Sequence, residues 1–262
     1  MSSARRITSR DNPLFREACD LAHSARERRR TGRSVLEGIH LCEAYSQRFG
    51  APQAVLVSDG AASHPQVMEL LRSQSIEPVS VADELFSQMS TLGQGVGLAF
   101  LIETPRPDLP ARIEGDAVFL DRIQDPGNVG TLLRTAAAAG IATVITAPGT
   151  AWCWSPKVLR AGMGAHFHLA IHESVPWDAV RDRLDAQIIG TRLHQAASVF
   201  DEDLRGASVW LFGSEGEGVS PAIAPDVARW LRIPQVDSVE SLNVAAAAAV
   251  CLFEQRRQRS TR

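Results

Sequence analysis

The sequence lacks the features that mark membrane, secreted and metal-binding proteins. None of its apolar runs approaches the roughly 20 residues that a membrane span needs. Its polar, arginine-bearing start, MSSARRITSRDNP, is not built like a secretory signal. The histidines show no ligand spacing such as HExxH, and the four cysteines are scattered without paired spacing. We therefore expect a cytoplasmic protein with reduced thiols, no membrane contact and no bound metal.

Net charge is also small, but it is unevenly distributed. The formal net charge of −3 gives no support for a nucleic-acid partner. Residues 1–34 nevertheless carry nine arginines against four acidic residues, and the last nine residues carry four arginines against one glutamate. Such runs either contact phosphates or form solvated helix faces, and composition does not decide between the two. Lys157 is the single lysine, a bias that either favours forked phosphate contacts or reflects the base composition of a genome.

A proline-rich stretch divides the chain. Three prolines fall within the ten residues 103–112, and proline cannot continue a helix or a central strand. We predict an N-terminal domain over 1–104, a linker over 105–114 and a second domain over 115–262. With 45% hydrophobic residues, the chain can fill the cores of two modest domains.

Both predicted domains alternate helices and strands, so we predict the α/β class. In the first domain, apolar residues at helical spacing predict helices over 12–30 and 36–49, and AVLVS, VMELLRSQ and PVSVA predict strand, helix and strand. In the second, apolar runs predict strands that alternate with helices, which is typical of a mostly parallel sheet covered on both faces. The predicted strands of the second domain are AVFLD, TVITA, HFHLAI, QIIGTR, VWLFG and RWLRI. Its predicted helices cover NVGTLLRTAAAA, the segment opening at Ser-Pro-Lys, and LNVAAAAAVCLFEQRR.

The first of three polar loops in the second domain follows the strand AVFLD. In an open α/β sheet the ligand crevice lies at the carboxyl ends of the strands, so loops there are candidates to meet. Gly127 and Gly130 let the backbone approach a ligand, and Asn128 either caps a helix or binds. Arg134 falls six residues later in an otherwise apolar helix, where we expect it to need a partner, either a structural carboxylate or a ligand.

The second and third loops follow VWLFG and RWLRI. Residues 213–220, GSEGEGVS, alternate glycines with two glutamates, which suits a neutral or cationic ligand better than a phosphate. This glycine loop matches neither the dinucleotide fingerprint nor the P-loop, and it could be a simple connection. In the third loop, Ser241 and Asn243 stand at a helix start, where they either cap the helix or orient a ribose.

Together and in this order, the three loops resemble the motifs of the SpoU/TrmH family of RNA 2′-O-methyltransferases in the SPOUT superfamily. DRIQDPGNVGTLLRTAAAAG is similar to the first motif, LFGSEGEGVS to the second and IPQVDSVESLNVAAAAAV to the third, although a serine is common where this run is all alanine. SPKVLRAGMGAHFHLAI resembles the connecting segment. The N-terminal ARERRRTGRSVLEGIHL and GQGVGLAF resemble a substrate-binding domain of many members more loosely, since Ser34 stands where an aromatic or apolar residue is usual.

The resemblance implies a fold and a reaction. The C-terminal domain would contain a trefoil knot, which general topology rules count as a rare exception. The N-terminal domain would be a small α/β RNA-binding domain similar to a ribosomal protein. The protein would be a homodimer whose active site is completed across the subunit interface. It would transfer a methyl group from S-adenosylmethionine to a ribose 2′-hydroxyl of structured RNA, with ribosomal RNA favoured over tRNA.

The resemblance also assigns residues by position. Arg134 would pair with an RNA phosphate and the 2′-oxygen, Asn128, Ser241 and Asn243 would orient the ribose and this arginine, and Glu215 would fix the arginine or the glycine loop. The residues that would contact the cofactor are Gly213, Gly218, Ile233 and Leu242. The residues that would contact RNA in the first domain are Arg28, Arg29 and Arg30.

Two other classes of function stay open from the sequence. The chain could be an RNA-binding relative that has lost catalysis, although all five polar motif positions are intact. It could also be a dinucleotide-dependent oxidoreductase, but the fingerprint glycines after the first strand are absent.

Overall fold

The protein divides into two compact units in the computed structural model. The first unit runs to Pro105 and includes Trp154–Leu159, and the second contains Arg106–Cys153 and the chain from Arg160 onward. No helix among the described residues is long and apolar enough to cross a membrane. The described residues are 6–75, 77–93, 95–236, 238 and 241–260.

The first unit is built on a five-stranded mixed sheet with the order β1-β4-β3-β5-β2. β1, β4 and β3 pair in parallel, whereas β5 runs antiparallel to both β3 and β2. Its elements are β1 (Arg6–Ile7), α1 (Pro13–His23), α2 (Ala25–Thr31), β2 (Arg33–Glu37), α3 (Ile39–Phe49), β3 (Ala54–Ser58), α4 (Pro65–Ser73), β4 (Val79–Val81), α5 (Asp83–Met89) and β5 (Leu98–Glu103).

The single helix predicted over 12–30 is two helices that meet at Ser24. Asn12 caps α1, accepting hydrogen bonds from two backbone N–H groups, and Pro13 occupies the first helical position. Ser24 then has an extended backbone that ends α1, and its hydroxyl accepts from the N–H of Glu27 to begin α2. A residue type that favours caps therefore divides a segment whose apolar spacing is continuous.

The helix predicted from residue 36 begins at Ile39, because the preceding residues form the unpredicted strand β2. Ser34 lies fully buried in this strand, and its hydroxyl lies 2.7 Å from that of Thr104. This hydrogen bond satisfies the buried hydroxyl of Ser34, which stands where an apolar residue is usual. Because the serine interrupts the apolar run, the sequence pattern did not predict the strand.

The second unit contains a seven-stranded sheet with the order β12-β14-β11-β13-β7-β8-β9, in which every pair is parallel. A separate parallel pair joins β6 and β10. The elements are β6 (Ile113–Glu114), β7 (Ala117–Asp121), α6 (Pro126–Ala139), β8 (Thr143–Thr146), β9 (Ala170–His172), α8 (Trp177–Val180), β10 (Leu184–Asp185), β11 (Gln187–Thr191), β12 (Ala197–Ser198), β13 (Ser208–Gly213), β14 (Arg229–Arg232) and α9 (Val244–Ser260). The helix α7 (Pro156–Gly162) begins in the segment assigned to the first unit and ends in the second.

Both faces of this sheet are covered, as its continuous apolar strands predict. Phe119 of β7 packs in a cluster with Trp177 of α8, their ring centroids 4.9 Å apart. On the other face, the indole of Trp210 in β13 donates to Gln255 of α9 at 2.8 Å. The predicted mostly parallel α/β fold is therefore confirmed, while the knot stays a prediction. The strand predicted at HFHLAI is shorter, because Ala165–His168 forms a 3₁₀ turn before β9.

Candidate active site

The three predicted loops leave strands of one sheet at the same edge. β7 and β13 are neighbours in the seven-stranded sheet. On the other side of β13 lies β11, and β14 is the next strand after β11. Because all these strands run parallel, their carboxyl ends, and the loops that follow them, lie along one edge. Residues that are distant in the sequence can therefore meet there.

One polar side chain from each loop joins a continuous hydrogen-bonded chain. The amide Nδ2 of Asn243 donates to Oδ1 of Asn128 at 2.9 Å, and Nδ2 of Asn128 donates to Oε1 of Glu215 at 2.8 Å. Oδ1 of Asn243 accepts from the N–H of Ala245 at 2.9 Å, so Asn243 also caps α9. Asn243 is therefore both a helix cap and a member of the site, and the two sequence interpretations do not exclude each other.

Asn128 does not cap α6, because Asp125 does. Oδ1 of Asp125 accepts from the backbone N–H of Asn128 at 2.9 Å. A Cβ on Gly127 would lie 2.8 Å from the same oxygen, so a larger residue there would displace the capping carboxylate. With the cap supplied by Asp125, the side chain of Asn128 is available for Asn243 and Glu215.

The glycine loop is a tight turn held against the first loop. Ser214 and Gly218 exchange backbone hydrogen bonds of 3.1 and 2.9 Å across it. A Cβ on Gly213 would lie 1.9 Å from the carbonyl carbon of Gly218, so this position requires glycine. At the far end, the N–H of Ser220 donates to the buried carboxylate of Asp121 at 2.6 Å.

A cavity of about 660 Å³ lies beside the glycine loop. The residues predicted to contact the cofactor all line it, together with two of the predicted catalytic residues: Gly213, Gly218, Ile233, Leu242, Glu215 and Ser241. Their roles stay predictions, but the structure brings all six to one place.

Part of the cavity wall has no counterpart among the residues predicted from the sequence. It comes from the segment after β11, where the guanidinium of Arg192 lies 5.1 Å from the ring centroid of Trp230 and donates to the carbonyl of Gln195. A Cβ on Gly190 would lie 2.6 Å from the Trp230 ring, so this glycine makes room for the indole. The available signal was the loop after QIIGTR, which also leaves the carboxyl end of a predicted strand.

Arg134 is not among the described residues that line this cavity, and neither the structural carboxylate nor any other partner within the described chain is found for it. A ligand as its partner stays a prediction. Arg134 is exposed and makes no hydrogen bond or ion pair with another described residue. Gly127, Thr131 and Ala138 share its exposed stripe, while Leu133 faces the core. Since each residue of an α-helix turns by about 100°, residues seven and four apart form one face and water solvates this guanidinium.

Of the two roles predicted for Glu215, the contacts within the described chain agree with the one that fixes the glycine loop and give it no contact with Arg134. Glu215 accepts from Asn128, which lies on a different side of α6 from the exposed stripe. Glu215 thus fixes the glycine loop to the first loop through an amide and not through an arginine.

The arginines predicted to contact RNA have different environments in the first unit. Arg28 is buried, with 6% of its surface exposed, and its Nη1 donates to the carbonyls of Leu21 and Ala22 at the end of α1. Its assignment as an RNA contact is therefore wrong, because its guanidinium satisfies the last carbonyls of a helix. Arg29 is exposed, whereas Arg30 is exposed and paired with Glu27 at 2.7 Å.

Two titratable groups of the second unit have pKa values shifted in opposite directions. Hydrogen bonds to Glu217 and then to Asp121 raise the pKa of the Arg122 guanidinium. Burial lowers the pKa of His166 to about 4, although its Nε2 lies 2.8 Å from the carbonyl oxygen of Cys153. No cluster of His, Cys, Asp or Glu that could hold a metal ion occurs among the described residues.

Known proteins resemble this chain along most of its length. The model of the SpoU rRNA Methylase family matches residues 116–253. The 23S rRNA (guanosine(2553)-2′-O)-methyltransferase RlmP of Bacillus subtilis is 30% identical, over 89% of this chain and 92% of that protein. The 23S rRNA (uridine(2479)-2′-O)-methyltransferase of Streptomyces viridochromogenes is 31% identical, over 98% and 93%.

A solved structure extends the likeness to the whole fold. The SpoU methyltransferase AviRb from Streptomyces viridochromogenes, in complex with the cofactor AdoMet, superposes with a TM-score of 0.84 at 27% identity, covering 96% of this chain and all of that one. The family resemblance identified from the three motifs is thus confirmed, and the chain belongs to the SpoU rRNA methylase family.

Proposed function

We propose that this protein transfers a methyl group from S-adenosylmethionine to a ribose 2′-hydroxyl of ribosomal RNA. The observation that carries the proposal is the Asn243–Asn128–Glu215 hydrogen-bonded chain, which joins all three family motifs at the rim of one cavity. Two relatives with similarity along most of their length are named as 23S rRNA 2′-O-methyltransferases, and the similar AviRb structure holds AdoMet.

The cavity fits this cofactor in size and charge. Its volume of about 660 Å³ is in the range of small-molecule sites. Glu215 and Glu217 in its wall are complementary to the cationic groups of S-adenosylmethionine. We propose that Gly213, Gly218 and Ile233 hold the cofactor mainly through their backbones, and the two glycines, which have no side chain, let the ligand approach closely. When bound, the cofactor supplies a methyl group attached to a positively charged sulfur. An oxygen nucleophile can attack this methyl carbon, and the sulfur leaves as a neutral thioether.

The polar residues at the rim would orient the acceptor. Asn243 has its oxygen engaged by α9 and its amide nitrogen by Asn128, so its orientation is determined by the fold. Asn128 is likewise held between Asn243 and Glu215. Such preorganised amides, with the hydroxyl of Ser241 nearby in the cavity wall, can hold a ribose in line for displacement, and positioning supplies much of the rate of such reactions.

Arg134 is proposed to stabilise the 2′-oxygen as its proton leaves. A guanidinium stays protonated in proteins, so it suits the role of a cation beside a developing alkoxide and not that of a base. A phosphate or water would then take the proton. Its exposure and its absence from the cavity wall of its own chain support a homodimer in which Arg134 completes the site of the partner subunit.

Mixed dimers test this arrangement across subunits. Arg134→Ala and Gly213→Ala should each be inactive alone, the first without the cation and the second without a formed cofactor loop. If Arg134 acts on the partner's site, an equal mixture that exchanges subunits should regain about one quarter of the wild-type rate, because half the dimers are mixed and each has one intact site. No recovery, with mixed dimers shown to form, would place Arg134 in its own subunit's site.

The RNA class is tested by incubating the purified protein with labelled S-adenosylmethionine and separate pools of ribosomal and transfer RNA. Label in 2′-O-methyl nucleotides of ribosomal RNA is the expected result. Label confined to tRNA would overturn the ribosomal assignment and leave the reaction standing. Calorimetry that shows no heat with the cofactor would instead favour the RNA-binding relative without catalysis.

A further inference from the structure

Arg122 is a residue of the first loop for which the proposed reaction has no role. Its backbone adopts a left-handed conformation with φ of 58°, which is uncommon for residues other than glycine. Its Nη1 donates to Oε2 of Glu217 at 2.6 Å, and its Nε donates to Oδ1 of Asp121 at 3.2 Å. One guanidinium therefore joins the end of β7 to the tip of the glycine loop.

The surroundings of Arg122 define this arrangement. A Cβ on Gly149 would lie 3.7 Å from Cγ of Arg122, so the stem of the arginine crosses close to this glycine. Asp121 is buried, and its second oxygen accepts from the N–H of Ser220. The same carboxylate thus contacts the arginine and the far end of the glycine loop, which gives the guanidinium a rigid base.

Both glutamates of the glycine loop are held by residues of the first loop. Asn128 binds Glu215 from one side, and Arg122 binds Glu217 from the other. Glu217 lines the cavity, whereas Arg122 is not among the described residues that line it. Any effect of Arg122 on a ligand in this cavity therefore passes through Glu217 or the loop backbone.

We propose that Arg122 is a positioning residue that holds the glycine loop, residues 213–220, in its cofactor-binding form through Glu217. This proposal rests on the proposed function, because the ligand whose affinity Arg122 affects is S-adenosylmethionine. A loop already held in its bound form loses less conformational freedom when the ligand arrives.

Arg122→Gly is the sharpest variant, because glycine adopts the left-handed backbone without strain. The variant removes the guanidinium and keeps the turn. The side chain of Glu217 is 74% exposed, and exposed ion pairs contribute modestly, so we expect the dissociation constant and KM for the cofactor to rise about threefold. The kcat at saturating cofactor should stay unchanged, whereas the midpoint of thermal unfolding should fall, because the buried carboxylate of Asp121 loses its arginine partner. A purely structural arginine would instead leave KM unchanged.

Salt and a second variant show whether Glu217 mediates the effect. Glu217→Gln also removes a carboxylate from the cavity wall, so its own rise in KM can be larger than that of Arg122→Gly. If Arg122 acts through Glu217, adding Arg122→Gly to Glu217→Gln should raise KM no further, because the ion pair is already lost. Raising the salt concentration screens the ion pair between Arg122 and Glu217. The difference in KM between the wild type and Arg122→Gly should therefore become smaller. Arg205→Gln is the matched control, since it removes an exposed arginine that pairs with Asp203 outside the cavity.

The outcomes separate this proposal from the proposed function. If the wild type binds S-adenosylmethionine in calorimetry and Arg122→Gly binds it equally tightly, the positioning role is wrong and the proposed function stands. If the effects of the two single variants add fully in the double variant, Arg122 does not act through Glu217 and the proposal is also wrong. If the folded wild type binds no cofactor, both proposals are overturned.

Discussion

The seven-stranded sheet of the second unit pairs every strand in parallel, whereas the sheet of the first unit places the antiparallel β5 between β3 and β2. In the parallel sheet, the loops that follow the strands lie at one edge, and polar residues 87 and 115 positions apart form one hydrogen-bonded chain. In the first unit, successive loops around β5 leave opposite ends of the sheet. The parallel sheet of the second unit is therefore suited to assemble one site from distant segments.

Both units use arginines in structural contacts, such as Arg259 with Asp116 in the second, and they differ in where their other arginines lie. The first unit uses arginines in structural contacts, such as Arg28 on the end of α1 and Arg33 with Glu17, and exposes Arg29. The second unit places Arg134 on an exposed stripe next to its polar loops and ties its glycine loop with Arg122. If this comparison is right, chemistry should depend on the second unit and RNA affinity partly on the first.

The largest expected effect is the loss of methyl transfer in Arg134→Ala. We expect kcat to fall by about 10³-fold, because a cation beside a developing alkoxide supplies much of the electrostatic stabilisation. Cofactor binding should stay nearly intact, since Arg134 does not line the cavity. Labelled methyl transfer and calorimetry measure the two effects. Thr131→Ala, on the same exposed stripe, is the control, and normal turnover by Arg134→Ala would remove this residue from the mechanism.

Acid should destabilise the second unit through His166. Burial holds the pKa of His166 at about 4 in the folded protein, below its ordinary value of 6.5, so the unfolded chain binds the proton first. The contribution of this histidine to the free energy of unfolding is therefore complete above pH 6.5 and decreases as the pH falls toward 4, by up to about 3 kcal/mol.

Denaturant titrations at several pH values, followed by tryptophan fluorescence, measure this loss. Four of the five tryptophans lie in the second unit, so the signal reports chiefly on it. His166→Gln is the control, because glutamine offers an N–H donor at a similar place and does not titrate. If the free energy of unfolding of His166→Gln depends on pH as strongly as that of the wild type, other groups cause the acid sensitivity.

Asn243 should separate stability from catalysis. Asn243→Asp keeps the oxygen that caps α9 but loses the donor to Asn128, so we expect kcat to fall about tenfold with little change in stability. Asn243→Ala loses both contacts and should also unfold more easily, by about 1 kcal/mol. Initial rates and denaturant midpoints for the two variants test this separation, which fails if the aspartate variant retains full activity.

The smallest expected effect compares two adjacent arginines of the first unit. Arg29→Ala should weaken RNA binding about threefold and reduce the salt dependence of binding by about one phosphate contact. Arg28→Ala should leave the salt dependence unchanged and lower the free energy of unfolding by about 2 kcal/mol, because it removes charged hydrogen bonds to two carbonyls. Binding titrations over a salt series, with unfolding curves, distinguish them. Equal salt slopes for wild type and Arg29→Ala would contradict an RNA contact at this residue.

Much of the second unit could be predicted, because its strands are continuous apolar runs. AVFLD and VWLFG become β7 and β13, every residue of which is buried. The first unit was harder to predict. Ser34 interrupts the apolar pattern of β2, and Ser24 divides a continuous helical pattern, since both serines satisfy hydrogen bonds that sequence spacing does not reveal. The Gln-Gly pair in GQGVGLAF includes Gln94, which lies outside the described residues.

The site was predicted residue by residue but not as an arrangement. Asn128, Glu215 and Asn243 stand out because each polar residue follows a predicted strand or starts a helix. Sequence spacing could not show that Asp125 caps α6 and leaves the side chain of Asn128 to join them. The wall formed by Arg192 and Trp230 was missed for the same reason, since no single pattern links β11 to β14.

The apolar strands, the order of the three polar loops and hence the family can be read from the sequence, because each depends on residues that lie near one another in the chain. Which polar side chains meet, that Arg28 is buried while Arg29 is exposed, and that Arg134 lies on the solvated face of α6 are known only from the folded structure. The physical reason is that burial and hydrogen-bond partners depend on how strands and helices distant in sequence pack together. Local patterns specify the elements, and the parallel order of the sheet brings the chemistry of three separate loops to one edge.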